Sequence, residues 1–193
     1  MSSSTSPPRR RGALLPAVVV VVVLVGLVVA ASQVVTEYAW FSQLGFAEVY
    51  TTRLLTQGAL FAVGGLLMAV AVLVSLRVAY RSRPVYAPVD AESANLDRYR
   101  ESLEPLRRLL SVAVPVVLGL FAGSAASAQW EQVLLFLNAE PFGAEDPIFR
   151  TDVGFWVFTL PFLSFLVSFL TAVVLLAGIG AALVHYLYGG LRL

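Results

Sequence analysis

The chain has 193 residues, of which 59% are hydrophobic and 13% are charged, and its mean hydropathy is +0.83. A soluble domain usually carries about 25% charged residues, so this much apolar surface indicates a membrane protein. The net charge of +1 shows no basic or acidic excess that would favour nucleic acid, and the lack of cysteine excludes disulfides, thiolate metal sites and cysteine nucleophiles.

The first charge-free run covers residues 13–35. About 20 apolar residues cross a bilayer as a helix, and in lipid the backbone must bond internally even where valine dominates. A cleaved signal peptide with Arg9–Arg11 as its basic region is the alternative. The run exceeds the 7–15 residues of a typical signal core, which favours a retained anchor.

Aromatic residues crowd the segment 36–53 that follows, including Trp40 and Phe41. Rings with an apolar body and a polar rim settle at the headgroup level of a bilayer. We therefore predict an interfacial turn or helix in an outer loop, with Gly45 as its break. The second apolar run, residues 54–76, is the next predicted span.

The segment 77–108 is predicted to be a cytoplasmic loop. Leucine and tyrosine recur at helical spacing over residues 95–110, with arginines and acids between them, which predicts a short amphipathic helix on the membrane surface. An ordinary solvated connector accounts for the same pattern. The third apolar run, residues 109–130, is the third predicted span.

The second outer loop is predicted over residues 131–156. We expect its first part to continue the third helix along the interface, and its proline and glycine residues to form turns. The aromatic residues at the two ends of this loop, Trp130, Phe155 and Trp156, are predicted to lie at the interface. The fourth span is predicted over residues 160–186, beginning near Pro161.

The arginines indicate how the chain is threaded. Eleven of the thirteen lie in the N-terminal tail, in the loop 77–108 or at the C-terminal end, and only Arg53 and Arg150 lie in the other two loops. Because cytoplasmic loops carry the excess of basic residues, both termini are predicted to be cytoplasmic, in a multi-pass protein of the bacterial cell membrane.

Acidic residues in the second outer loop give one candidate metal site. Glu140, Glu145, Asp146 and Asp152 could supply oxygen ligands to a hard cation such as calcium. Their spacing does not match an EF-hand loop, and Arg150 lies among them. Turn formation and interfacial charge explain the same residues without a metal, and we expect no cofactor.

Chemistry inside the spans is sparse. None of the four apolar runs contains Asp, Glu, Arg or Lys, which argues against a proton relay or an ion-coupled site built from this segment alone. His185 is the only histidine and has no partner motif for zinc or nucleophilic catalysis. We therefore expect that the chain is not an enzyme.

Small residues recur four positions apart in three spans, and such stripes let helices approach closely in lipid. Hydroxyl groups such as those of Ser124 and Thr171 are expected to add hydrogen bonds between helices. Packing within the bundle is the preferred interpretation, and homo-oligomerisation is the alternative. The predicted packing residues are Gly58, Ala62, Gly65, Ala69, Gly119, Gly123, Ser127, Gly178 and Ala182.

Four motifs in order along the chain carry a family resemblance: WFSQLGF (40–46), YRSRPVY (80–86), DPIFRTDVGFWVFTLPF (146–162) and HYLYGGLRL (185–193). With them the chain resembles uncharacterised protein family 0182, which comprises large bacterial membrane proteins. The resemblance implies about seven N-terminal spans followed by a large extracytoplasmic region, of which this chain would be the N-terminal part. It implies no molecular activity and no catalytic residues.

Together these patterns predict an all-α, polytopic helix bundle with about four spans. A basic cytoplasmic tail, residues 1–12, precedes a transmembrane domain, residues 13–193. The expected function is a membrane-anchoring, structural module of a larger envelope protein. The alternative is a transporter or lipid-handling subunit completed by other helices. The expected partners are the bilayer and, in a longer protein, further helices and an extracytoplasmic domain, but no nucleic acid.

Overall fold

A computed structural model of the chain describes residues 14–82 and 107–187. The predicted basic tail 1–12 and most of the predicted amphipathic helix 95–110 lie outside these ranges. The described elements are helices α1 (Leu14–Gln43), α2 (Ala47–Arg81), α3 (Arg107–Ser127), α4 (Trp130–Leu137) and α5 (Leu160–Leu187), together with a π-helical segment (Phe155–Thr159) before α5.

The predicted helical membrane fold is confirmed. Among the described residues, four helical stretches are long and apolar enough to cross a membrane: Pro16–Gln43, Ala47–Arg81, Leu109–Ser127 and Phe155–Leu187. Three of them extend past the predicted boundaries, because helix formation does not stop where the charge-free run stops. A helix ends at a capping signal or a breaker, and charged residues beside the hydrocarbon layer provide neither.

The chain divides into two compact units, residues 1–52 and 53–193. In the first unit, α1 ends in a Schellman motif, in which the Phe46 N–H donates to the carbonyl of Phe41 and the Gly45 N–H donates to that of Ser42. Gly45 has φ +78°, a left-handed conformation that glycine adopts without strain. The break predicted at Gly45 is confirmed, and the segment 36–53 is helical on either side of this tight turn.

In the described part of the second unit, three helices share one core. Met68 and Val72 of α2, Ala122 of α3 and Val173 of α5 form its buried core. Within the described residues, no polar or charged residue is buried as a whole. Most apolar side chains on these helices remain exposed, as expected for helices that meet lipid or further helices rather than water.

The third helix does not continue along the loop as predicted. It ends at Ser127, and α4 begins at Trp130 after a two-residue turn. Gln129 has ψ 18°, outside the helical range, and its N–H bonds to the nearer carbonyl of Ala126. The residues before the break are uniformly small and gave no sequence signal for it. As a separate helix, α4 contacts the start of the last helical run.

The last helical run begins earlier than Pro161. Residues Phe155–Thr159 form one turn of π-helix, in which the Leu160 N–H bonds to the carbonyl of Phe155. Proline lacks an N–H and crowds the carbonyl of the residue four positions before it. The widened π turn lets the helical run pass through Pro161 instead of starting there.

Candidate functional site

Glycines form a close contact between α2 and α3. A Cβ added to Gly119 would lie 2.8 Å from the carbonyl oxygen of Gly65 and 3.0 Å from the Cβ of Ala69. One added to Gly123 would lie 2.7 Å from the carbonyl oxygen of Phe61. Only glycine therefore fits at positions 119 and 123, and the two backbones touch directly, as in other small-residue contacts in lipid.

Two further contacts in this region escaped the sequence analysis. A Cβ added to Gly64 would lie 2.7 Å from the Cβ of Ala126 and 3.3 Å from the ring of Phe169, so α2, α3 and α5 converge there. The Ser75 hydroxyl donates to the carbonyl of Ala177 at 2.7 Å, linking α2 to α5. The adjacent glycines 64 and 65 were the available signal for the first contact; for Ser75, an isolated hydroxyl near a span end, there was none.

The other predicted packing residues lie elsewhere. Built Cβ atoms at Gly58 and Gly178 meet no atom within 4 Å in the described part of the chain, and Ala62 and Ala182 are exposed. Ser127 is half-buried at the end of α3.

The hydroxyl groups expected to bridge helices do not all do so. Ser124 and Thr171 donate to carbonyls four residues earlier in their own helices, at 2.9 Å and 2.7 Å. The expectation of interhelical bonds from these two residues was wrong, because the helix supplies a nearer acceptor.

Asp152 organises the segment before the last helical run. Its carboxylate accepts backbone N–H bonds from Gly154 at 2.6 Å, Phe142 at 3.1 Å and Gly143 at 2.9 Å. The bonds from Gly154 and Phe142 lower the pKa of Asp152 from its ordinary value, since they stabilise the charged form. One side chain thus caps the helical run and fastens a distant loop segment to it.

A hairpin turn lies between Gly143 and Gly154, the residues on either side that bond to Asp152. Glu145 and Asp152 form an antiparallel bridge, and the Asp146 N–H donates to the carbonyl of Thr151 at 2.9 Å. Asp146 Oδ1 accepts from the N–H groups of Ile148 and Phe149, at 2.9 Å and 2.8 Å. Arg150 closes the turn with φ 50°, a left-handed conformation. We call residues 144–153 the acidic hairpin.

The acidic hairpin contains three of the four candidate metal-binding residues. Asp146 and Asp152 lie on it together with Glu145, but both aspartates use carboxylate oxygens to accept backbone N–H bonds. Among the residues that the structure describes, no three His, Asp or Glu side chains are grouped so that they could hold a metal ion. The backbone bonds account for the two aspartates without a cation.

Three ring pairs fasten this region from α4 to α5. Their partners are nested along the chain, as in a hairpin: the outermost pair encloses the middle pair, which encloses the innermost one. Centroid distances are 4.2 Å, 5.6 Å and 5.3 Å for Phe136–Phe162, Phe142–Phe158 and Phe149–Trp156. We call this set the nested ring pairs. Offset or tilted rings at these separations attract one another beyond their buried area.

The predicted interfacial residues occupy different surroundings. Trp40 is exposed and meets Phe41 edge to face, with centroids 5.1 Å apart. The half-buried ring of Trp130 has the Arg53 guanidinium carbon 5.4 Å from its centroid, a cation–π contact. Phe155 and Trp156 pack edge to face within the π turn.

Two buried polar atoms in this region have no hydrogen-bond partner among the described residues: Gln132 Oε1 and Trp156 Nε1. One is an acceptor on α4 and the other a donor in the π turn, and these two elements contact each other. Neither atom was identified from the sequence, which carries no signal for buried and unpaired polar groups.

The motifs singled out above can be compared with known proteins. Residues 14–193 match an uncharacterised protein family, UPF0182. The chain belongs to this family. The UPF0182 relative from Kineococcus radiotolerans is 57% identical over 166 residues, which cover 86% of this chain and 16% of the relative.

Further UPF0182 relatives come from other bacteria. The one from Arthrobacter sp. strain FB24 is 51% identical over 162 residues, covering 84% of this chain and 16% of its own length. The one from Thermobifida fusca is 44% identical over 166 residues, covering 86% and 16%. The chain therefore spans about a sixth of these relatives (16% in each). No solved structure matches the UPF0182 chain.

Proposed function

We propose that this UPF0182 chain is the membrane-anchoring, structural module of a larger cell-envelope protein and carries no reaction of its own. The composition of the α2–α3–α5 core carries the proposal. The core is built from backbone contacts at glycine and from apolar side chains, and the predicted spans contain no Asp, Glu, Arg or Lys. Pumps and ion-coupled transporters place ionisable groups inside the membrane.

The size of the relatives supports the same proposal. The matched segment is only 16% of the relative from Kineococcus radiotolerans, so there it is one part of a much longer protein. A tightly packed unit with exposed apolar flanks suits a part on which further helices assemble. We expect those helices, and an extracytoplasmic domain, to be its partners in the longer protein.

The proposed orientation places both termini in the cytoplasm and the acidic hairpin outside. It is supported by the arginines, eleven of which lie in the N-terminal tail, in the loop 77–108 or at the C-terminal end. With four spans, these three segments lie on the same side of the membrane. Alkaline phosphatase fused after Glu140 should be active, whereas the same enzyme fused after Arg81 should be inactive. The reverse pattern of activity would overturn the orientation.

The anchoring role can be tested in the longer relative from Kineococcus radiotolerans. Its matched segment is replaced by an unrelated four-span segment of the same orientation, and the remainder is located by protease digestion of intact cells. An anchor predicts that the remainder keeps its membrane location and its accessibility. Loss of that location despite correct insertion of the replacement would contradict a purely anchoring role.

The alternative is a transporter or lipid-handling subunit whose pathway needs further helices. This alternative is supported by the exposed apolar faces of α2 and α5, which leave room for such helices to pack. A stoichiometric solute retained between the spans of the purified longer protein would support this alternative over the anchor.

A further inference from the structure

A cavity of about 300 Å³ opens between α2 and α3 at the C-terminal end of α2. The charge-free run 54–76 contains 23 residues and spans about 34 Å as a helix, slightly more than the hydrocarbon core of a bilayer. Arg77 is the first charged residue after it. The cavity therefore lies where the hydrocarbon layer of the membrane meets the headgroups.

The lining of the cavity combines apolar side chains with basic and hydroxyl-bearing ones. Leu73, Leu76 and Val112 provide apolar walls, whereas Arg77 and Arg81 bring two positive charges. Because residues four apart lie on the same face of a helix, both arginines line the same cavity from α2. No acidic residue lines the cavity within the described part of the chain.

The polar part of the lining suits a phosphate group. Guanidinium groups bind phosphate oxygens in a bidentate manner, and Tyr80 and Ser111 add hydroxyl groups to the same cavity. These two hydroxyl-bearing residues also interact within the protein, so the arginines are the main ligands in this scheme.

We propose that this cavity binds the phosphate-bearing headgroup of an anionic membrane lipid. The volume lies at the low end of the range for ligand sites, which fits a headgroup and its glycerol but not a whole lipid. The acyl chains lie outside, along apolar side chains such as Val112, which is 58% exposed. Basic pockets between spans are suited to such lipids on electrostatic grounds.

This inference rests on the membrane location of the chain and not on its role as an anchor. It differs from general attraction of arginines to headgroups, because it requires the cavity as well as the charge. Two kinds of variant separate these requirements: one removes the charges and leaves the cavity open, and the other fills the cavity and keeps both charges.

The test uses the purified full chain in detergent, titrated with phosphatidylglycerol and followed by native mass spectrometry. We expect one saturable lipid, bound about tenfold more tightly than phosphatidylcholine. Arg77→Gln combined with Arg81→Gln should weaken binding about thirtyfold, since each arginine near an anionic surface contributes about fivefold. Val112→Trp should weaken it similarly, because the indole occupies the cavity from an exposed position.

The matched control is Arg9→Gln combined with Arg10→Gln, which removes two charges from the N-terminal tail and should leave the saturable lipid bound as before. Circular dichroism checks that each variant keeps its helix content. If the double arginine variant does not fold, Val112→Trp decides. Equal lipid affinity in the native chain and in the folded cavity variants would overturn the proposal.

Inorganic phosphate is the second probe. A lipid site predicts that phosphate competes only at concentrations far above those of the lipid, because it gains nothing from the apolar walls. Competition at equal concentration would assign the cavity to a soluble phosphate compound and overturn the lipid proposal.

Discussion

The α2–α3 contact and the segment from α4 to the start of α5 are held together in opposite ways. At Gly119 and Gly123 the helices meet because side chains are missing, and the backbone atoms touch directly. In the acidic hairpin and the nested ring pairs, side chains make the contacts, through a carboxylate and six aromatic rings.

The physical reason lies in the backbone. A helix in lipid satisfies its own N–H and carbonyl groups, so association of spans depends on close van der Waals packing. An irregular segment leaves those groups unpaired, and side chains must supply the acceptors. Added volume should therefore damage the first region, and loss of an acceptor should damage the second.

The largest effect is expected for Gly123→Ala. Its new methyl group would lie 2.7 Å from the carbonyl oxygen of Phe61, so α2 and α3 must separate. Overpacking of this kind costs about 1–3 kcal/mol. Unfolding in mixed micelles with increasing dodecyl sulfate, followed by circular dichroism, should show an earlier midpoint.

The matched control for this glycine is Gly58→Ala on α2, where a built Cβ meets nothing within 4 Å in the described residues. Alanine favours helix over glycine by about 0.5–1 kcal/mol, so the control should unfold no earlier than the native chain. Equal loss of stability in both variants would show that the close contact is not what holds the helices.

Asp152→Asn should open the acidic hairpin and spare the helices. The amide keeps the shape of the side chain but loses the charge, and it presents one oxygen where two accepted three N–H bonds. Hydrogen exchange should quicken at Phe142, Gly143 and Gly154. Glu145→Gln, which removes a charge from the same hairpin, should leave these amides protected.

Acid should reproduce this effect in the native chain. The folded pKa of Asp152 lies below its unfolded value of about 3.9. Its contribution to the stability of the acidic hairpin is therefore fully present above that unfolded value. It is lost as the pH falls through the lower, folded pKa. With Trp40 and Trp130 replaced by phenylalanine, Trp156 fluorescence should be constant from neutral pH to about pH 4 and change below it.

The same fluorescence experiment includes Asp152→Asn as its reference. This variant should show the altered Trp156 signal already at neutral pH and no transition in acid. An acid transition that persists unchanged in the variant would assign the effect to another carboxylate.

The smallest effect is expected for Ser75→Ala, which removes the hydrogen bond to the carbonyl of Ala177. Hydrogen bonds between helices in membranes contribute about 0.6 kcal/mol on average. The dodecyl sulfate midpoint should shift slightly, and Ser124→Ala, whose hydroxyl bonds within its own helix, should shift it less. A larger shift for Ser124→Ala would contradict the assignment of the Ser75 bond as the one that stabilises the association of helices.

The helices were accessible from the sequence because each depends on local properties. The apolar runs predicted four membrane-length helices, and Gly45 was recognised as a break because a glycine can end a helix in a left-handed conformation. Gly65 and Gly119 were proposed as packing residues from their spacing, and they lie at the α2–α3 contact. Spacing could not separate them from Gly58 and Gly178, which carry the same pattern.

The irregular segment was not accessible in this way. The break before Trp130 follows uniformly small residues that carry no signal for it, and the bonds from Phe142 and Gly143 to Asp152 join residues nine or ten positions apart. A carboxylate that accepts backbone bonds and one that binds a cation look the same in a sequence, since only the neighbours differ.

By itself, the sequence determined that this chain forms long apolar helices, because backbone bonding in lipid leaves no alternative and apolar length is a local quantity. It also determined membership of UPF0182 through ordered motifs. Only the tertiary structure decided which glycines touch, which carboxylates hold loops and where two arginines share a cavity. These depend on the rotation and register of one helix against another, which residue periodicity leaves open.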